Sequence, residues 1–307
     1  MKAENSTSIS EFILEGLSHH RKTQNLLFVV LLLIYSLTLV GNLVIILLVQ
    51  TNTQLHTPMY FFLMHLSGVE ICYVTSTEPQ MLAHLLSGNG AISFTRCAIQ
   101  MYMVLSMGSA ECFLLGVMAY DRYLAICRPL NYTVAMDRWR QLQLASACWS
   151  GGFLSGVIYM GCTFRHPFCG PNHVNHFICE MPVVLKLASA DTHITEAVIS
   201  VQAGLILLGP FSVILASYAL ILFSVMKMHS ATGRYKAFST CASHLVVVTM
   251  FYGTVISMYM RPTSGTAPAH DKQIAVFYIV VTPLLNPVIY TLRNKDVHGA
   301  IAKLLQR

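Results

Sequence analysis

Five stretches of this chain run for twenty residues or more without Asp, Glu, Lys or Arg: Gln24–Val49, Gln141–Phe164, Ala197–Met226, Ala237–Met260 and Gln273–Leu292. A helix needs about 20 mostly apolar residues to cross a bilayer, so each reads as a span. Two further apolar stretches carry acids. Pro58–Leu86 holds Glu70 and Glu78, and Ser93–Cys127 holds Arg96, Glu111, Asp121 and Arg122. Leaving either out would create a structureless loop too long for a compact bundle. The pattern therefore predicts an all-α membrane protein, a bundle of seven transmembrane helices over 24–292. A tail over 1–23 precedes it. The segment 293–307 follows, with Val297, Ile301, Leu304 and Leu305 at helical spacing among Lys and Arg. That suits a short amphipathic helix on the membrane surface.

Charge orients the bundle. Segments after odd-numbered spans hold eleven Lys and Arg, and those on the other side hold eight. Basic residues concentrate on the cytoplasmic side, which sets the N-terminus outside. The sequon Asn5-Ser6-Thr7 on that side is the expected glycosylation site; a second, Asn131-Tyr132-Thr133, is expected to lie in the cytoplasm. The first residues carry Glu4, Glu11 and Glu15 and lack a basic-then-apolar leader pattern, so the first span is expected to direct its own insertion. Charged residues are only 10% of the 307, too few to coat a soluble particle of this size. The net charge of +6 is spread over short segments with no basic block, which suits lipid headgroups and a cytosolic partner rather than nucleic acid.

Ionisable groups inside a bundle are costly and point to function. Glu70 and Glu111 fall mid-span, and with Asn42 and Asn286 they are expected to surround one polar pocket. Two close carboxylates there share a proton or hold a cation such as sodium; a protonated structural network is the alternative. Glu78, near the end of its span, reads as a solvated or rim residue. At the cytosolic end of the third span, Asp121-Arg122-Tyr123 lets the arginine pair with its own neighbour in one state and with polar groups of spans 5 and 6, such as Tyr218 and His244, in another. Pro79, Pro210, Pro283 and Pro287 each remove a backbone hydrogen bond. Asn286-Pro287-Val288-Ile289-Tyr290 thus forms a soft point near the cytosolic face, as a two-state bundle needs.

Nine cysteines show no CxxC spacing, so neither a zinc ribbon nor a redox motif is supported. Cys97 and Cys179 both face the oxidising side, and a disulfide between them would pin the long outer loop over the bundle mouth. Cys162 and Cys169 are free or paired. His176 and Glu180 offer two metal ligands, but a disulfide at Cys179 removes the third, and no metal centre is expected. No HExxH, GxSxG or Ser/His/Asp grouping suggests an enzyme. A proton-coupled transporter is the remote alternative, and no inverted repeat is visible for it.

Together these strings resemble the rhodopsin-like G-protein-coupled receptors, and within them the class II olfactory receptors. The carrying segments are Gly41-Asn42, Leu55–Leu63, Met118–Cys127, Phe168–Asn172, Ser217-Tyr218, Lys236–Leu245 and Pro283–Asn294. The resemblance implies a plasma-membrane receptor for small, mostly apolar volatiles that activates a heterotrimeric stimulatory G protein and raises cyclic AMP. A non-olfactory small-molecule or lipid receptor is the alternative. By position, the resemblance implies a ligand cavity lined by Val104, Leu105, Gly108, Ser109 and Cys112 on span 3. Span 5 would add Gln202, Ala203, Ile206 and Leu207, span 6 Tyr252, Val255, Ile256 and Tyr259, and span 7 Val276 and Ile279. Tyr259, Ser109 and Gln202 are the expected polar anchors. Asp121, Arg122, Tyr123, Tyr218, His244, Asn286, Pro287 and Tyr290 would form the switch. The chain departs from the family at Ser189, where a third outer-loop cysteine is usual, and at Glu70, commonly Asp.

Overall fold

The computed structural model describes residues 9–227, 230–259, 268–292, 297 and 299; at 236, 240, 259, 268–271, 291 and 292 only the backbone is described. The Asn5 sequon and most of the 293–307 segment lie outside these residues. Seven long helices occur among them: α1 (Arg21–Thr51), α2 (Pro58–Ser87), α3 (Phe94–Cys127), α4 (Arg138–Phe164), α5 (His193–Met226), α6 (Ala231–Tyr259) and α7. The last combines Pro268–Val276, a π-helical turn at Phe277–Val281 and Thr282–Leu292. Most begin earlier than the charge-free stretches, because a helix keeps its internal hydrogen bonds where it leaves the apolar layer. The starts of α3 and α4 are capped by Ser93 and Asp137, whose side chains accept from the N–H of Arg96 and Arg140.

By length and apolar character α1, α3, α5, α6 and α7 can each cross a membrane. The remaining two are long enough but more polar, α2 through its acids and histidines and α4 through its serines and glycines. They rely on neighbours to cover that polarity. The central helix is α3, which packs on α2, α4, α5 and α6. It meets α4 closely because Gly152 and Gly156 face it. A Cβ at Gly156 would collide with the Ser106 hydroxyl and lie 2.9 Å from the Tyr102 carbonyl. Small residues at such seams let backbones approach.

Prolines shape the partners of α1. Pro287 cannot donate to the carbonyl four residues back, which belongs to Pro283. The Asn42 side-chain amide donates to that carbonyl instead, at 3.4 Å, and to the Thr38 carbonyl at 3.0 Å. Gly41 leaves room for this approach, since a Cβ there would sit 3.1 Å from the Pro287 ring.

The N-terminal segment is not a free tail. Glu11–Leu14 (β1) is the central strand of a small sheet at one end of the bundle, between Ala91–Ser93 (β2) and His173–Val174 (β3). It runs antiparallel to β2, with Phe12 opposite Ile92, and parallel to β3, with Leu14 opposite Val174. Phe12 is wholly buried against the rings of Phe94 and Phe168. Arg21 donates to the Leu86 carbonyl at 2.8 Å, and Lys272 donates to the Gly16 carbonyl at 3.2 Å, tying the segment to α2 and α7.

Candidate functional site

Below the sheet, a cavity of about 70 Å³ opens between α3, α5, α6 and α7. Val104, Leu105, Gly108, Ser109 and Cys112 line it from α3, Ala203, Ile206 and Leu207 from α5, and Val255 from α6. The wall also includes Tyr73, Glu111, Tyr159, Met181, Phe251 and Tyr278, which were not among the residues expected to contact ligand. Tyr73 and Tyr159 come from α2 and α4, helices whose polar faces resemble packing seams in sequence. Met181 comes from the loop over the mouth. Tyr278 replaces Val276 and Ile279 because the π-helical turn holds an extra residue and rotates the face that α7 presents.

Other residues expected there stand elsewhere. The Gln202 amide donates to the Ser155 carbonyl at 3.2 Å, which turns it to the α4–α5 seam. Tyr252 is buried beside the wall, not in it: its hydroxyl donates to the Cys112 carbonyl at 3.2 Å, and its ring packs against Phe211 and Phe251. Ile256, Val276 and Ile279 are outside the lining, and the Tyr259 side chain is outside the described residues. The Ser109 hydroxyl donates to the Leu105 carbonyl at 2.7 Å, which leaves its lone pairs for another donor.

Asn42, Glu70, Glu111 and Asn286 are all buried, and the Asn286 amide donates to Glu70 Oε1. One oxygen each of Glu70, Glu111, Asn42 and Asn286, with the Thr38 hydroxyl, has no hydrogen-bond partner among the described residues. Glu111 belongs to both this cluster and the cavity. Glu78 departs from expectation: it is wholly buried, and neither carboxylate oxygen has a hydrogen-bond partner among the described residues. Helical spacing explains this, since Val74, Met81, Leu82 and Leu85 share its face and are buried too.

At the opposite end from the sheet, Arg122 does not pair with Asp121: among the described residues no carboxylate oxygen lies within 4.0 Å of its nitrogens. Asp121 accepts instead from the Tyr132 hydroxyl at 2.9 Å, in the short turn Tyr132–Ala135. Burial, with the Asp121 carboxylate beside it, pushes the Tyr132 phenol up, so it stays a donor. Tyr218 and His244 meet each other (Oη to Nδ1, 2.7 Å) and link α5 to α6. Tyr123 packs by Ile221, Val225, Ala237 and Cys241. Tyr290 is buried with its hydroxyl unpartnered among the described residues, and Ser243 donates to the Ile289 carbonyl at 3.4 Å, joining α6 to α7.

The loop between α4 and α5 is tied down at the sheet end of the bundle. Cys97 and Cys179 form a disulfide with Cα atoms 5.5 Å apart. The Cys179 N–H donates to Gln100 Oε1 at 2.9 Å, and the other end of that amide donates to the Ser76 carbonyl at 3.1 Å. His176 Nδ1 accepts from the Ile178 N–H at 3.3 Å, and its Nε2 lies 2.9 Å from Glu180 Oε2. Tyr278 donates to the other oxygen of Glu180 at 2.9 Å. These two candidate metal ligands thus lie side by side, and Glu180 also accepts from Tyr278. Among the described residues no group of three or more His, Cys, Asp or Glu side chains is arranged to hold a metal. Cys162 and Cys169 are both free; Cys169 is exposed, and its N–H donates to the Ser189 hydroxyl at 2.9 Å.

The sequence profile of the olfactory receptor family matches residues 31–307. Human olfactory receptor 5F1 is 46% identical over 307 residues, covering 100% of this chain and 98% of the relative. Mouse olfactory receptor 5AP2 is 48% identical over 302 residues, 98% and 95% of the two chains, and human olfactory receptor 2T1 is 48% identical over 304, 99% and 82%. Similarity of that extent, over a seven-helix bundle with a roofed apolar cavity, leaves one conclusion: the chain belongs to the olfactory receptor family, multi-pass plasma-membrane receptors rather than enzymes.

Proposed function

We propose that this chain takes small, mostly apolar volatile molecules into the cavity between α3, α5, α6 and α7 and answers through a stimulatory G protein by raising cyclic AMP. The sheet end faces outside, with Asn5 glycosylated there, and the Arg122 end faces the cytoplasm. The observation that carries the reading is the cavity wall: aliphatic and aromatic carbon with Ser109, Glu111 and the tyrosine hydroxyls as its few polar points. Such a wall suits a small molecule held by shape and one hydrogen bond. At about 70 Å³ it is smaller than the ~300–1,000 Å³ of drug-sized pockets, so a larger guest must displace the walls. Phe251 and Val255 are the α6 part of that wall, and Tyr252 beside them holds α6 to α3. A ligand that prefers the displaced arrangement therefore biases α6, and opening near His244 exposes Arg122 to the G protein. The bias cannot exceed the ligand's difference in affinity for the two arrangements.

The cluster of Asn42, Glu70, Glu111 and Asn286 would hold a shared proton or a sodium ion. Its unpartnered oxygens supply the ligands for either, and Glu70, one methylene longer than Asp, reaches Asn286 directly.

The test is cyclic AMP in cells expressing the chain, with surface staining, across a panel of volatiles. Val104→Phe fills the cavity and should remove every dose-dependent response while surface staining is unchanged. Responses that survive it would place the ligand elsewhere. Silence of the unaltered receptor at good surface levels would overturn the pairing of this ligand class with this G protein.

A further inference from the structure

The stripe of α4 that faces α3 runs through Ala145, Cys148, Gly152, Gly156 and Tyr159, all but Gly156's neighbours spaced three or four apart and every one buried. Its glycines bring the two backbones together, since a Cβ at Gly152 would lie 2.7 Å from the Ser106 carbonyl. One turn beyond Gly156 stands Tyr159, whose large side chain extends from this seam into the cavity wall.

The other hydroxyls at the wall are committed to the protein. Ser109 donates to the Leu105 carbonyl at 2.7 Å and Tyr278 to Glu180 at 2.9 Å. Tyr252, beside the wall, donates to the Cys112 carbonyl at 3.2 Å, and Tyr73 also has a partner within the protein. On α4 itself the Thr163 hydroxyl donates to the Tyr159 carbonyl at 2.9 Å, and the Ser155 hydroxyl to the Gly151 carbonyl at 2.7 Å. The phenol of Tyr159 differs. Among the described residues its hydroxyl makes no hydrogen bond, although the residue is only 4% exposed. An apolar wall offers that O–H no acceptor, so a guest that brings one supplies the missing bond. The complement of a lone donor among carbon is a lone acceptor. A ketone or ester carbonyl provides it without adding a donor that must itself be satisfied.

We infer that Tyr159 is the polar anchor of the cavity and selects volatiles that carry a carbonyl group, its hydroxyl donating to the carbonyl oxygen. The inference rests on the cavity being the odorant site. It is tested with methyl ketones of rising chain length, each paired with the alkene in which a methylene group replaces the carbonyl oxygen. Cyclic AMP dose–response curves and surface staining are compared for the unaltered receptor and Tyr159→Phe. In the unaltered receptor each active ketone should be more potent than its alkene. Tyr159→Phe should weaken the ketone by about two- to twelve-fold, the worth of one neutral hydrogen bond, and leave the alkene where it was. Equal potency within the pairs, or a gap that survives the substitution, would overturn the inference. So would an equal loss for both partners, which would make Tyr159 a matter of shape. Loss of surface staining in Tyr159→Phe would count against it too, by showing the hydroxyl to be bound within the protein. A receptor that answers other volatiles but neither member of any pair would refute the carbonyl preference alone. Silence to every volatile at good surface levels would instead bring down the proposed function, and this inference with it.

Discussion

The glycines of α3 and α4 differ in what a single methyl would do. A Cβ at Gly108 meets no atom within 4 Å, although the residue lines the cavity. Gly108→Ala should therefore fold and reach the surface normally while taking volume from the ligand. One methyl in an apolar site is worth ~1–3 kcal/mol, so ligands that fill the cavity should lose about 10- to 200-fold in potency, read as dose–response curves of cyclic AMP. Gly156→Ala has no such room and should cost ~1–3 kcal/mol through overpacking, appearing as reduced surface staining for every ligand alike. A reversed pattern would contradict the seam between α3 and α4. Position 189 offers a second residue-scale test. Ser189 already accepts from the backbone of Cys169, so Ser189→Cys should close a disulfide and abolish maleimide labelling of that exposed thiol.

At the scale of elements, the polar cluster is drawn together where the hydrogen bonding of α7 is interrupted. Pro287 frees the Pro283 carbonyl, Asn42 of α1 satisfies it, and the same stretch of α7 presents Asn286 to Glu70. Three helices are thereby joined through one irregularity. Asn42→Ala would leave that buried carbonyl without its donor, a loss of ~1–3 kcal/mol. The melting temperature of the purified receptor should fall accordingly, and an unchanged value would argue that α1 holds α7 by apolar packing alone. The π-helical turn has a different consequence: it sets which of Val276, Tyr278 and Ile279 faces the cavity.

For the whole molecule, the sheet at the mouth makes the N-terminal segment part of the fold. Phe12 is wholly buried among aromatic rings and β1 is the strand that joins β2 to β3. Removing such a ring usually costs ~3–5 kcal/mol, so Phe12→Ala should sharply reduce surface delivery, whereas a free tail would tolerate it. The Cys97–Cys179 disulfide ties the loop that supplies β3 to the start of α3.

Much of this was legible in the residues. Long uncharged stretches admit only a spanning helix, because a bilayer offers no partner for free backbone groups, and the run from Asp121 to Tyr123 or the pair of Cys97 and Cys179 marks its own place along those spans. The family resemblance, by position, names Val104, Leu105, Gly108, Ser109 and Cys112 on α3, and these five line the cavity. Which residues from different helices converge is not local. Tyr73, Tyr159 and Tyr278 reach the cavity, Glu78 is buried, Gln202 turns away and Asp121 prefers Tyr132 to Arg122, all through crossing geometry and side-chain competition between segments far apart in sequence. A short amphipathic run such as Glu11–Leu14 carries too few residues to declare itself a strand; only the edges offered by residues 91–93 and 173–174 complete its hydrogen bonds. The sequence by itself thus determined the spans and the chemistry available, while the tertiary structure alone decided which of those groups meet.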